Sequence, residues 1–164
     1  MQRFVKEMIV RLAQAQVEFV VVGGISAVLQ GVPLVTIDLD LCYRRTPSNL
    51  ARLAAALRPL RPRPRGFAPD LPFTFDEHTL QLGCNFTLSI ENEDLDLLGE
   101  MSAIGGYEQI IAQAEEVDIE GFRVKVLPLS QLITTKQAAG RPKDLAVLPL
   151  LQATLELQQK QESP

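Results

Sequence analysis

Tryptophan is absent, and aromatic residues make up only 5% of the 164-residue chain. That scarcity weakens any reading built on aromatic platforms that stack nucleic-acid bases. No apolar run approaches the ~20 residues that span a bilayer. The opening "MQRFVKEMIVRL" mixes charge into its apolar positions and lacks a small-residue cleavage site, so it is not read as a signal peptide. Only two cysteines occur, Cys42 and Cys84, far apart and beside apolar runs. They read as buried free thiols of a cytoplasmic protein, not as a disulfide framework. The single histidine, His78, has no ligand partner in the pattern and is assigned no role.

What is present suits one ordinary domain over residues 1–164, with a core expected over 1–128 and a C-terminal helical segment over 129–160. A net charge of −4 hides an asymmetry: seven arginines and no acid lie from Arg44 to Arg65, whereas ten acids and no base lie from Glu91 to Glu120. One stretch attracts phosphate and the other repels it, which bears on partners and not on fold.

Phe4, Val5, Met8, Ile9 and Leu12 recur at helical spacing, which predicts a helix over residues 3–15. "VEFVVVG" reads as a buried strand and "ISAVLQG" as a short helix. "LVTIDLDLCY" alternates with period two and reads as a strand. "TPSNLARLAAAL" opens with a Thr cap and a Pro at the first helical position. "RPLRPRPRGFAPDLP" reads as an extended, proline-punctuated loop. "CNFTLSI" and "DLDLLG" read as two strands, followed by a helix over 105–115 and a hairpin in "VDIEGFRVKV". Two helices close the chain. Gly140 ends the first, Pro142 begins the second, and Pro149 is expected to kink it. The last few residues are expected to fray. The order predicts an α/β domain of the α+β type: a small mixed sheet flanked by helices, with a short helical C-terminal segment.

Asp38 and Asp40, read on one strand, share a face with their backbones roughly 7 Å apart. Two like charges in apolar surroundings raise one another's pKa or bind a cation, and hard divalent ions prefer such oxygen ligands. Asp96 offers a third carboxylate on another apolar-flanked strand; Asp94 shares its face nearer the turn. Gly23 and Gly24 end one strand and open a helix, where the backbone can approach a ligand and free N–H groups bind phosphate. Ser26 either adds a hydroxyl there or caps the helix. A phosphate cradle thus precedes an Asp pair by thirteen residues. Lys136 shares an inward helical stripe with Leu129, Leu132 and Ile133 and needs a partner: a triphosphate, the Asp cluster or Asp144. Arg141 and Lys143 contact nucleotide or form a helix-entry ion cluster with Asp144. The arginines of "LRPLRPRPR" are solvated loop charge or a grip on RNA or triphosphate.

The Gly-Gly, the Asp-x-Asp pair, the later strand Asp and the segment "VLPLSQLITTKQAAGRPKDLAVLPLL" together resemble the DNA-polymerase-β-like nucleotidyltransferase superfamily. More narrowly they resemble the minimal bacterial members related to AbiEii-type toxins. The resemblance implies a nucleotidyltransferase fold and transfer of NMP from NTP to a hydroxyl acceptor, with catalytic Asp38, Asp40, Asp96 and Lys136. Asp38, Asp40 and Asp96 would hold Mg²⁺ or Mn²⁺ in a two-metal displacement. Nucleotide would lie on Gly23, Gly24, Ser26, Lys136, Arg141 and Lys143. The acceptor is RNA, protein or a small molecule, and a toxin-like member would have a partner protein such as an antitoxin. Relatives often carry a basic residue shortly before the Asp pair, where this chain has Leu34 and Val35. That departure supports the alternative of a weak or inactive nucleotidyltransferase-fold binding or regulatory module. No membrane partner is expected.

Overall fold

The computed structural model describes residues 1–162. Helix α1 spans Arg3–Gln14, and its apolar stripe of Val5, Met8, Ile9 and Leu12 is buried. Strand β1, Phe19–Val22, is buried at every position and runs directly into α2, Gly23–Leu29. Strand β2 is Leu39–Tyr43 and helix α3 is Pro47–Leu57. A 3₁₀ turn at Arg58–Leu60 leads to β3, Arg63–Pro64. Helix α4, Glu77–Leu82, precedes the hairpin of β4, Asn85–Ile90, and β5, Glu93–Leu98. Short strands β6, Glu100–Met101, and β7, Gly105–Gly106, pair with each other ahead of α5, Tyr107–Ile111. Strands β8, Glu115–Ile119, and β9, Phe122–Val126, form a second long hairpin. Helices α6, Leu129–Ala139, and α7, Pro142–Glu162, complete the described chain.

Seven strands form one mixed sheet in the order β3-β4-β5-β2-β1-β9-β8. Its two central contacts set the site. β1 and β2 are antiparallel with Val22 opposite Asp40, and β2 and β5 are parallel with Asp40 opposite Asp96. Alternation then sorts the side chains. Leu39, Leu41, Tyr43, Leu95 and Leu97 face α1, α3 and α4 in one core cluster. Val20, Val22 and Cys42 face the other side, where Ile110, Leu129, Leu132 and Leu151 of α5, α6 and α7 cover them. Gln30 fastens that second layer. Its side-chain amide donates to the carbonyls of Ser26 and Leu127, and its own backbone carbonyl accepts from Gln158 of α7 at 2.9 Å.

The expected fold class holds, with local corrections. The strand predicted from Leu34 starts only at Leu39: β1 ends at Val22, opposite Asp40, and residues 33–38 enter no ladder. Val35 and Ile37 are exposed there. The helix expected over 105–115 is cut to Tyr107–Ile111, since Gly105–Gly106 is drawn into pairing with Glu100–Met101 and β8 begins at Glu115. Helix α4 lies in a stretch for which no element was anticipated; the Asp76 side chain caps it by accepting from the Thr79 N–H at 2.8 Å. Thr46 takes the predicted cap position of α3 without a capping hydrogen bond. Helix α7 runs through Pro149 without a break. The expected fraying of the last residues falls partly on positions 163–164, outside the described residues. No described helix is long and apolar enough to cross a membrane.

Candidate active site

The turn from β1 into α2 is built around Gly23, whose φ of +63° suits glycine. A Cβ there would stand 2.1 Å from an Asp40 carboxylate oxygen, so the aspartate lies directly against the bare backbone. Gly24 is equally tight: a Cβ would come within 2.9 Å of the Thr36 hydroxyl. Thr36 thereby seats the segment before Asp38 on the start of α2. Ser26 is fully buried, and its hydroxyl donates to the Gly23 carbonyl at 2.7 Å. It closes the turn from inside; Val22, not Ser26, is at the helix cap.

Asp40 and Asp96 are neighbours across two parallel strands and project on the same face. Asp38 is exposed one residue before β2, a correction to the same-strand pair predicted, yet its charge still reaches both. Burial pushes the Asp40 carboxyl up to about 7; the charges of Asp96 and Asp38 push the same way, against Lys136 and Arg65. Burial also raises Asp96, where Arg65 opposes and Asp38 and Asp94 reinforce the rise. Asp40 and Asp96 are thus both held above the ordinary carboxylate range by burial among like charges.

Lys136 has a partner within the chain: its ammonium lies 3.0 Å from Asp144, which is buried, and Arg141 holds the other Asp144 oxygen at 2.6 Å. Burial alone would raise the Asp144 pKa, but the hydrogen bonds from Arg141 and Lys136 outweigh it and lower it. Lys136 is also close enough to Asp40 for its charge to be felt there. Lys143 is exposed and makes no ion pair among the described residues. The arginine-rich segment is not simply solvated: Arg63 donates to the Ala68 and Leu71 carbonyls, and Arg65 pairs with Asp94 and Asp96. A wide groove of about 590 Å³ lies elsewhere, between α1 and residues 56–60, and contains none of these acids.

No family model and no curated protein matches the chain. Solved structures do. The aminoglycoside-modifying enzyme ANT(2″)-Ia, solved with adenylyl-2″-tobramycin, superposes at a TM-score of 0.60 with 14% identity, over 95% of this chain and 90% of that one. TM1012 of Thermotoga maritima, provisionally named a nucleotidyltransferase, gives 0.57 and 18% over 90% and 89%. A nucleotidyltransferase-like antigen of Paracoccidioides brasiliensis gives 0.53 and 16% over 93% and 76%. The chain has the nucleotidyltransferase fold. At these identities the likeness is one of fold, and what the acids do rests on their own geometry.

On this nucleotidyltransferase fold the donor set suits a divalent ion only as a partial shell. Among the described residues no group of three acidic, histidine or cysteine side chains is placed to hold a metal ion. The carboxylates fit Mg²⁺ in another way: that ion keeps several waters and is held by one or two carboxylates together with substrate phosphates. Asp40 beside Asp96, with an uncompensated charge and a glycine turn alongside, offers such a set of ligands. Sequence reasoning missed Thr36 and gave Arg65 no link to the acids. For Thr36 the one available signal was its place in the short link between Gly24 and Asp38. For Arg65 there was none, because its partners lie on a strand about thirty residues away.

Proposed function

We propose that the chain is a metal-dependent nucleotidyltransferase moving an NMP from NTP to a hydroxyl acceptor. One observation carries the reading: Asp40 and Asp96 face each other in register where Gly23 removes every side-chain atom between Asp40 and the turn. Mg²⁺ or Mn²⁺ held by Asp40 and Asp96, with the exposed Asp38 adding its charge at the rim, would supply Lewis-acid stabilisation of the phosphoryl oxygens. The bare Gly23-Gly24 backbone would let the triphosphate approach the sheet. Lys136, fixed by Asp144, would place a positive charge against the charge that develops as the acceptor oxygen bonds to the α-phosphorus and pyrophosphate leaves. Asp96 would take the acceptor proton once its Arg65 contact is released. Arg141 and Lys143 stand at the outer rim, suited to the distal phosphates.

A small hydroxylated molecule is the acceptor best supported. The aminoglycoside enzyme shares the fold along nearly its whole length, and Asp38, Asp40, Asp94 and Asp96 outnumber the Arg65 and Lys136 charges that reach them, which disfavours polyanionic RNA. The narrower reading, an AbiEii-like toxin neutralised by a partner antitoxin, rests on the sequence motifs. NTP and Mg²⁺ as substrate and cofactor suit an enzyme of the cytoplasm. The binding-module reading is favoured by one observation, the engagement of Asp96 by Arg65.

The test incubates wild type and Asp40→Asn with each α-³²P-labelled NTP, Mg²⁺ or Mn²⁺, and three acceptor pools: aminoglycosides and other polyols, total RNA, and total protein. Metal-dependent transfer to the small molecules by wild type alone is expected. Label on RNA or protein would move the reading to the toxin-like form. Absence of transfer to every pool, with NTP binding intact, overturns the enzyme in favour of the binding module.

A further inference from the structure

One cross-strand row runs from the arginine segment to the glycine turn. The backbone N–H of Arg65, next to β3, donates to the Thr87 carbonyl at 2.9 Å. Thr87 is opposite Asp96, Asp96 opposite Asp40, and Asp40 opposite Val22, the residue before Gly23. Along this row the Arg65 guanidinium reaches over β4. Its Nη2 lies 2.6 Å from Asp96 Oδ1 and 3.4 Å from the Leu88 carbonyl, and its Nε lies 3.2 Å from Asp94 Oδ1. A guanidinium has five donors, no acceptor, and does not deprotonate in proteins. Held at 2.6 Å, it takes one lone-pair direction of Asp96 Oδ1 and sets a fixed positive charge against any divalent ion that approaches this carboxylate.

We propose that Arg65 is the built-in counter-cation of Asp96, competing with a divalent ion for that carboxylate and so setting how many ions the site takes. The proposal rests on the nucleotidyltransferase reading of the acids. In the metal-free protein the guanidinium balances the charge of β5, and a divalent ion binds fully only after the side chain swings off. Pro62 and Pro64 restrict the backbone just before it, and the Thr87 bond fixes the peptide of Arg65 itself, so the release is a side-chain rotation. Asp38 and Asp40 make no ion pair with Arg65 among the described residues, and its charge reaches Asp40 only through space. An ion on that pair therefore feels the arginine weakly, whereas an ion on Asp96 meets it directly.

Calorimetric titration with Mn²⁺ alone, on wild type, Arg65→Ala, Arg65→Lys and Asp40→Asn, tests this. Arg65→Ala is expected to bind Mn²⁺ about tenfold more tightly, the worth of one charge-assisted contact, or to gain a second ion. Arg65→Lys keeps a charge but loses the two-carboxylate fork, and is expected to fall between. Melting in EDTA supplies a second readout: Arg65→Ala should melt lower than wild type and recover on adding Mn²⁺ by more than wild type does. Should Asp40→Asn lose binding while folded Arg65→Ala keeps wild-type affinity and stoichiometry, the counter-cation is overturned and the metal-dependent enzyme stands. Should neither wild type nor Arg65→Ala bind Mn²⁺, both are overturned. If Arg65→Ala does not fold, Arg65→Lys decides: an affinity equal to or below wild type overturns the proposal.

Discussion

The ionisation of Asp40 gives the site its pH behaviour. Its carboxyl is raised in the folded chain to about 7, above the ordinary value of 3.8. The folded state therefore holds the proton more tightly than the unfolded state. The associated stability is fully present below about pH 4 and is lost as the pH rises through 7. Metal-free protein should thus melt lower at pH 8 than at pH 5, and Asp40→Asn should remove most of that difference. At pH 8 the variant should be more stable than wild type by about 1–3 kcal/mol, since each tenfold difference in proton affinity corresponds to about 1.4 kcal/mol and neighbouring water moderates it. Chemical denaturation at the two pH values checks this. Mn²⁺ should protect wild type more strongly at pH 8 than at pH 5, because ion and proton compete for one carboxylate. The positions of Asp40, Asp96 and the two glycines were legible in the sequence because chemistry and spacing coincide there. The exposure of Asp38 was not, since alternation describes a strand without saying where its neighbour stops.

Among the elements, the two long hairpins were readable because their turns carry their own chemistry. β4 and β5 close through Glu91 and Asn92, both with positive φ, and β8 and β9 through Glu120 and Gly121, likewise. Two-residue loops of this kind match the twist of the strands they join. Asn92→Gly is expected to stabilise the chain by about 0.5–1 kcal/mol by relieving a left-handed backbone at a side-chain-bearing residue; a urea midpoint raised at constant slope is the check. Short elements were harder to see. Helix α4 is one cap and a buried Leu80, and α5 is five residues that yield to strand pairing on one side. Local propensity is weak over such lengths, and tertiary contacts decide.

At the scale of the molecule, the helices of the closing segment cover only part of the sheet face that bears the acids. Val20, Val22 and Cys42 lie beneath α5–α7, while Thr87, Ser89, Asp94 and Asp96 are left open. The site stands at that boundary, and the Lys136–Asp144–Arg141 cluster fixes its helical wall. Lys136→Ala leaves buried Asp144 with only the exposed Arg141 as partner. It should lower stability by about 1–3 kcal/mol, less than the loss of a sole partner would, and the fall should largely vanish when Asp144→Asn is added. A double-mutant cycle by thermal denaturation measures this coupling. The sequence left Lys136 divided between nucleotide and Asp144. The fold joins the two, because the lysine pairs with Asp144 and still acts on Asp40.

The contact between Gly23 and Asp40 also constrains how the gene can change. Every one-base substitution that replaces a glycine with another amino acid introduces a Cβ, and here a Cβ meets the Asp40 carboxylate at 2.1 Å. Any such allele must turn the Asp40 carboxylate away from the place it now holds and must also bear a φ of +63°. Codon 23 is thus tied to codon 40: a side chain at 23 displaces the carboxylate that the glycine now accommodates.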